Sequence, residues 1–311
     1  MNTKPTPSKH RFVSITRTRG EFVFSIFNTV FLLLLSLIFI IPIWHILMTS
    51  ISDPDIVQAS SSIAFLPKGS FTTGGYRLVF KNPNLWRSYL NTLIYVPAAT
   101  AVGMLLSILA AYGLSRKNLR YGPALTFLFT FTMIFNGGLI PTYILVNKLN
   151  MIDTRWALIL PGTFSVYYMI IMRTSFAGIP DSLIDAARID GAGHVRILVQ
   201  IVLPVSKAVL ASILMFYIIK NWNAWFNASI YLQKRRDYYP LQLQLREIIL
   251  QTSDTLDSSL VSEASDISSL DRFRPITKYC TIVFSILPML VLYPFIQKYF
   301  VTGVMIGSIK G

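Results

Sequence analysis

Long apolar stretches alternate with short polar segments along this chain of 311 residues. Five of the stretches contain long windows without a charged residue, and a sixth, from about Ala208 to Gln233, is interrupted by Lys220 alone. Because a helix needs roughly 20 mostly apolar residues to cross about 30 Å of hydrocarbon, the pattern predicts an all-α integral membrane protein with six transmembrane helices. The predicted spans are residues 22–47, 89–115, 122–147, 156–175, 208–231 and 278–298.

Composition supports a membrane protein. Hydrophobic residues make up 53% of the chain and charged residues 14%, whereas soluble domains usually carry about 25% charged residues. The first apolar stretch is too long for a cleaved signal peptide and lacks a small-residue cleavage site, so we expect it to be retained. The single cysteine, Cys280, excludes an intramolecular disulfide and offers no metal cluster. The net charge of +14 lies at the membrane boundaries, which favours anionic lipid headgroups over nucleic acid as its counterpart.

The distribution of basic residues gives a predicted orientation. Six spans place both termini on one side of the membrane, and a polar, basic tail of residues 1–20 precedes the membrane domain of residues 21–311. The connection between the second and third spans carries Arg116, Lys117 and Arg120 without an acidic neighbour. Because Lys and Arg are enriched in short cytoplasmic segments, both termini are expected to be cytoplasmic. The prediction rests on these two segments, since over the whole chain the basic residues are nearly balanced between the two sides.

The connection at residues 177–205 has a helix-forming pattern of its own and is predicted to be cytoplasmic. Pro180 is followed by Asp181 and Ser182, which are typical of a helix start. Gly191 then ends or bends this helix, and a second short helix leads into the next span. Composition alone is also compatible with a generic helix lying at the membrane interface.

A motif in this connection resembles a known family. Asp185-Ala186-Ala187, three residues, Gly191, nine residues and Ile201-x-Leu203-Pro204 resemble the EAA loop of ABC importer permeases, with Asp185 where that family usually has Glu. Residues 137–143, 221–227, 299–303 and 307–311 extend the resemblance to carbohydrate importers of the maltose-permease type, in the branch that handles complex oligosaccharides. The resemblance covers residues 22–311.

The resemblance implies a type I ABC importer permease fold with a cytoplasmic coupling helix, in a bacterial plasma membrane. Its implied partners are a second, different permease subunit, two ATP-binding subunits and an extracellular sugar-binding protein. The chain contains no G-x-x-x-x-G-K-[ST] motif, so ATP and Mg²⁺ are expected on the ATPase, with no cofactor in this chain. The residues implied to contact the ATPase are Asp185, Ala186, Ala187, Arg188, Asp190, Gly191, Ile201, Leu203 and Pro204.

The predicted fifth span contains polar residues that suit a sugar path. Asn221 and Trp225 are four residues apart, as are Asn223 and Asn227, so each pair is expected to share a helix face. Indole rings stack on sugars, and amides donate to and accept from hydroxyl groups. Hydrogen bonding between helices, with Trp225 in an interfacial belt, explains the same residues equally well. Lys220 is a charge within a span, and it suits either a uronate carboxylate of the cargo or an acidic group of the partner permease.

Two other segments have alternative interpretations. Asn136-Gly137-Gly138 predicts either an ordinary helix end or a kink that lines a cavity. The connection at residues 232–277, predicted to be extracellular, is either a flexible surface loop or a contact for an extracellular partner.

Rival functions have less support in the sequence. An ion-coupled secondary transporter would normally show repeats and an intramembrane acidic residue, and the predicted spans contain no Asp or Glu. A membrane enzyme would need a catalytic constellation, but His10, His45 and His194 are far apart in sequence. We therefore expect a non-catalytic transporter subunit without a metal site.

Overall fold

The computed structural model describes residues 19–59, 62–251 and 271–308, and within these ranges the chain is helical without β-strands. The tail before Arg19, the Ser- and Asp-rich part of the predicted outer loop and residues 309–311 lie outside them. The first helices are α1 (Arg19–Ser50), α2 (Pro54–Ala59), α3 (Gly74–Lys81), α4 (Pro83–Ser115), α5 (Gly122–Ile134), α6 (Leu139–Lys148), α7 (Trp156–Ile159) and α8 (Val166–Ala177). The remaining ones are α9 (Asp181–Ile189), α10 (His194–Ile197), α11 (Leu203–Val205), α12 (Lys207–Trp222), α13 (Phe226–Tyr231), α14 (Leu241–Gln251) and α15 (Arg274–Ser308).

Three helices of the described residues are long and apolar enough to cross a membrane: α1, α4 and the first 18 residues of α15. Two bent pairs raise this number to five if each pair is one span. The first pair is α5 with α6, at 107°, and the second is His194–Val205 with α12, at 86°. The total of six spans stays a prediction.

The predicted fourth span is not one continuous helix. Residues 156–175 are divided into α7 and α8 by an irregular segment of residues 160–165. The dipeptide Pro161-Gly162 explains the interruption, because proline has no N–H for the helix ladder and Gly162 has a φ of +70°. The third span is bent at the Asn136–Gly138 segment, where Gly138 has a φ of +86°. The Asn136 side chain accepts the Gly138 N–H at 2.9 Å, which stabilises this bend.

Helix α4 lies at the centre of the packing, against α8 and α12. A buried cluster near the Ser115 end of α4 contains Met169, Met172 and Phe176 of α8 together with Tyr217 of α12. Small residues of α4 permit this close approach. At Gly103, a Cβ atom would lie 2.8 Å from both the Thr163 carbonyl oxygen and Cε1 of Tyr217. Helix α1, by contrast, packs along α15 and leaves most of its apolar side chains exposed, as expected for a helix that faces lipid.

The segment from α10 to α12 contains an unusual joint. Residues Leu198–Val202 form a π-helix between α10 and α11, and the chain then turns by 86° at Ser206. The Ser206 hydroxyl is buried and has no hydrogen-bond partner within the described ranges. Because π-helices and unpaired buried hydroxyl groups are both rare, their coincidence distinguishes this joint from an ordinary helix connection.

Candidate coupling and translocation sites

The 177–205 connection contains two helices joined by a glycine turn. Helix α9 begins at Asp181, directly after Pro180, and ends in a Schellman motif. The Ala192 N–H donates to the Ala187 carbonyl at 2.9 Å, and the Gly191 N–H donates to the Arg188 carbonyl at 3.0 Å. Gly191 has a φ of +77°, a conformation that glycine adopts without the steric cost paid by other residues.

Helix α9 has one anchored face and one free face. Ile184 is only 3% exposed and packs with Phe176 in the core cluster, and Ala187 packs beside it. Asp185, Ala186, Arg188 and Asp190 are exposed, and Asp185 pairs with Arg188 at 3.2 Å.

The second half of the segment is anchored in the same way. Ile197 and Val202 are buried, while Ile201 is half-buried within the π-helix. Leu203 packs against the core cluster, and Pro204 is exposed. The motif therefore contributes both anchoring and exposed side chains.

The glycine turn leaves large apolar side chains in the open. Ile189 is 86% exposed and Val195 is 76% exposed, and Leu183 is also exposed. These three residues are here named the apolar tip; Leu183 and Ile189 lie outside every candidate membrane span, and Val195 lies near the start of the bent pair His194–Val205 with α12. Large apolar side chains exposed on one short connection are typical of a surface that contacts another molecule.

Polar contacts fasten this segment to the Ser115 end of α4. Lys117 pairs with Asp181 at 2.6 Å, and this hydrogen bond and charge hold the pKa of the Asp181 carboxyl below its ordinary value. Arg116 donates to the Phe176 carbonyl at 3.2 Å and stacks 5.0 Å from the ring centre of Tyr112. The Tyr112 hydroxyl lies 3.3 Å from Nδ1 of His194. A cavity of about 160 Å³ lies between the α4–α5 turn and α9.

The residues predicted to line a sugar path do not occupy one continuous helix. Helix α12 ends at Trp222, and α13 begins at Phe226. The expectation that Asn221 shares a helix face with Trp225, and Asn223 with Asn227, is therefore wrong. The cause is local, because Asn223 turns back and donates its side-chain N–H to the Ile219 carbonyl at 2.9 Å.

Each of these residues has a distinct environment. The Asn221 side chain donates to Thr100 of α4 at 3.1 Å, a hydrogen bond between helices. Trp225 packs against residues 239 and 243, and the guanidinium of Arg246 lies 4.3 Å from its ring centre. Asn227 is half-buried and Asn223 is exposed. Their membership of a path stays a prediction.

Lys220 is bound to the interruption between α7 and α8. Its ammonium donates to the Gly162 carbonyl at 2.6 Å and lies 5.9 Å from the ring centre of Tyr217. Within the described ranges no carboxylate lies within 4.0 Å of it. The amide oxygen satisfies one of its three N–H donors and leaves the charge uncompensated.

A hydrogen-bond network beside Lys220 was not foreseen from the sequence. The Tyr217 hydroxyl lies 2.7 Å from the Ser107 hydroxyl and accepts the Ser165 N–H at 3.1 Å. These bonds satisfy the backbone where α8 begins. The Pro161-Gly162 dipeptide was the available signal for this interruption, but nothing local in the sequence identifies Tyr217 as its partner.

Comparisons with known proteins identify the family. No family model matches the chain. The polygalacturonan/rhamnogalacturonan transport system permease protein YtcP of Bacillus subtilis (strain 168) is 37% identical over 282 residues, which are 90% of this chain and 96% of the relative. Protein LplC of the same organism is 33% identical over 94% of this chain and 97% of its own length. The relatives do not favour a secondary transporter.

A solved structure agrees with these relatives. A chain in the crystal structure of a bacterial ABC transporter involved in the import of the acidic polysaccharide alginate superposes with a TM-score of 0.82 and 29% sequence identity. The match covers 91% of this chain and 99% of the other. With its apolar helices, the chain is a multi-pass membrane protein, and it belongs to the family of ABC sugar importer permeases.

Proposed function

We propose that this chain forms half of the translocation path of an ATP-driven oligosaccharide importer and couples to its ATPase through residues 185–204. The other half of the path comes from a second permease, and two ATP-binding subunits supply ATP hydrolysis with Mg²⁺. An extracellular sugar-binding protein delivers the cargo. In this arrangement both termini and the coupling segment face the cytoplasm.

The apolar tip is the observation that carries the coupling role. Ile184 fixes α9 to the core and Ile197 fixes α10, so the two helices present Ile189 and Val195 in defined places. Exposed side chains of this size lose contact with water when a partner covers them, and each contributes on the order of 1.5–3 kcal/mol on full burial. A groove on the ATPase would supply that cover. The exposed charges of Asp185 and Asp190 surround the tip and suit a polar rim.

The experiment replaces Ile189 with glutamate and, as the matched control, with leucine. Ile189 is 86% exposed, so neither change disturbs the packing of the permease itself. We expect Ile189→Glu to lose the ATP-binding subunits during purification while keeping the second permease, and Ile189→Leu to keep both. Retention of the ATPase and full transport by Ile189→Glu would contradict the coupling role of this tip.

The cargo we propose is a uronate-containing oligosaccharide. One relative is named for polygalacturonan and rhamnogalacturonan, and the structural neighbour belongs to a transporter involved in alginate import. Lys220 supports the same class because its ammonium lacks a carboxylate within the described ranges. An acidic group of the partner permease is the competing counterpart for this charge.

Lys220→Met tests the two counterparts of this lysine in the complete complex. If the cargo carboxylate pairs with Lys220, uptake of an acidic trisaccharide falls while uptake of a neutral one is retained. Equal loss of both assigns Lys220 to the partner permease. The cargo class itself is tested by the wild-type complex, which should prefer trigalacturonate to its neutral methyl ester.

A further inference from the structure

A second cation without a carboxylate partner lies at the Pro83 end of α4, away from the coupling segment. Arg155 immediately precedes α7 and is exposed. Its guanidinium donates to the Asn91 side-chain oxygen at 3.5 Å and lies 5.0 Å from the ring centre of Tyr238. Within the described ranges no carboxylate lies within 4.0 Å of it.

The residues around this guanidinium are held rigidly. Asn91 is buried and donates to the Asp237 carbonyl at 2.7 Å and to the Tyr239 carbonyl at 3.2 Å. Tyr95 is also buried and donates its hydroxyl hydrogen to the Tyr238 carbonyl at 2.9 Å. These bonds join residues more than 140 positions apart in sequence. The aromatic ring and the amide that orient Arg155 are thus fixed before any ligand arrives.

A neighbouring arginine, Arg235, has a structural role and provides a comparison for Arg155. Arg235 stacks on the same Tyr238 ring at 4.3 Å. Its Nε and Nη2 donate to the two carboxylate oxygens of Asp237 at 3.1 and 3.0 Å. This fork geometry uses the donors and compensates the charge of Arg235. Arg155 shares the ring and also hydrogen-bonds the Tyr95 hydroxyl, but no carboxylate of the described residues pairs with it, so its remaining donors and its charge are open to an anion.

We propose that Arg155 binds a carboxylate of a uronate residue as the acidic oligosaccharide enters the path, an assignment that rests on the cargo class proposed above. A guanidinium matches the two oxygens of a carboxylate through paired hydrogen bonds. The exposed position beside an aromatic ring also suits a sugar, which presents apolar C–H faces next to its charged group.

Arg155 and Lys220 lie at the two ends of one interrupted segment. Helix α7 starts directly after Arg155, and the Gly162 carbonyl, seven positions on, is the acceptor of Lys220. Seven positions of chain span at most roughly 25 Å. The two uncompensated cations therefore provide successive contacts for a polyanionic chain, with Arg155 as the first and Lys220 as the second.

The test uses the complete complex in proteoliposomes with its own binding protein. The probes are trigalacturonate and its fully methyl-esterified form, which has the same backbone without charge. We expect Arg155→Gln to raise the KM for trigalacturonate at least tenfold, since it removes charge-assisted hydrogen bonds, and to change the KM for the ester less than twofold. Arg155→Lys keeps the charge without the paired donors, so its KM for trigalacturonate should be intermediate. If the glutamine variant assembles poorly, the lysine variant provides the test.

The matched control is the double variant Arg235→Gln, Asp237→Asn, which removes a guanidinium from the same ring without changing the net charge. It should leave the selectivity for the acidic probe unchanged. An unchanged KM in Arg155→Gln, or an equal rise for both probes, overturns the assignment. A higher concentration of binding protein needed for half-maximal ATPase activity with either probe also overturns it and assigns Arg155 to protein docking. If the wild-type complex rejects trigalacturonate but imports neutral sugars, the proposed cargo class fails instead.

Discussion

The close contact at Gly103 provides a quantitative test of the packing around the interrupted α7–α8 segment. In Gly103→Ala, the new Cβ atom would lie 2.8 Å from the Thr163 carbonyl oxygen, 2.8 Å from Cε1 of Tyr217 and 3.1 Å from its Cζ. Thr163 belongs to the segment that Lys220 holds through Gly162. The methyl group must therefore displace either the backbone of this segment or a buried ring that carries two hydrogen bonds.

The expected cost follows from these distances. Overpacking a well-filled interior by a methyl group usually costs about 1–3 kcal/mol. At about 2 °C per kcal/mol for a chain of this size, the melting midpoint of the complex should fall by roughly 2–6 °C. The same displacement moves the Gly162 carbonyl away from Lys220 or breaks the bond between Tyr217 and Ser107, so transport should fall more than assembly.

Gly113→Ala is the matched control. It lies in the same helix, but an added Cβ atom meets nothing within 4 Å. Alanine has a better helix propensity than glycine by up to about 1 kcal/mol, so this variant should be as stable as the wild type or slightly more stable. The assay is thermal unfolding of the purified complex in one detergent, together with uptake in proteoliposomes. Equal midpoints for the Gly103 and Gly113 variants would refute the reasoning.

Three further predictions concern the ends of the bundle. Because its lysine partner holds the pKa of Asp181 below the ordinary 3.8, this ion pair stabilises α9 above about that pH, and the effect is lost as the pH falls through the folded-state pKa. Asp181→Asn should remove this pH dependence of amide exchange in α9, and an unchanged profile would contradict it. Gly191→Ala should cost about 1–2 kcal/mol because its φ is +77°, whereas Gly193→Ala, with a φ of −72°, should be tolerated in the same exchange measurement. Arg272→Gln should raise amide exchange in α2, because Arg272 lies 3.3 Å from Asp53, just before α2, and 2.6 Å from Asp55 within it. Protection equal to the wild type would show that this contact does not hold α2.

The local sequence was sufficient to predict the long helices and the two short helices of the 177–205 connection. Helices α1 and α4 cover their predicted spans with an extension at one or both ends, since uninterrupted apolar sequence leaves the chain few alternatives in a bilayer. The turn at Gly191 was also predictable, because glycine is the residue that adopts a positive φ without steric cost. In both cases the local sequence contains the physical cause.

The interruptions and the polar clusters depend on partners remote in sequence. Asn221 bonds to Thr100, 121 positions away, and this contact holds α12 against α4. Arg155 is oriented by Asn91, 64 positions away. A single sequence shows that these residues are polar, but not which of them finds a partner and which is left with free donors. The proposed anion contacts depend on which cations are left with free donors, and this is known only from the structure.

The joint at Ser206 has a mechanical consequence. The segment His194–Val205 meets α12 at 86°. A displacement of His194–Val205 along its own axis would therefore rotate α12 about the joint. From Lys207 to Lys220 the lever measures roughly 20 Å at the helical rise. A rotation of about 10° at the joint then moves the ammonium group by roughly 3 Å, which is enough to break its hydrogen bond to Gly162. A small motion at the joint would thus shift the charge of Lys220, the residue proposed to contact the carboxylate of the cargo.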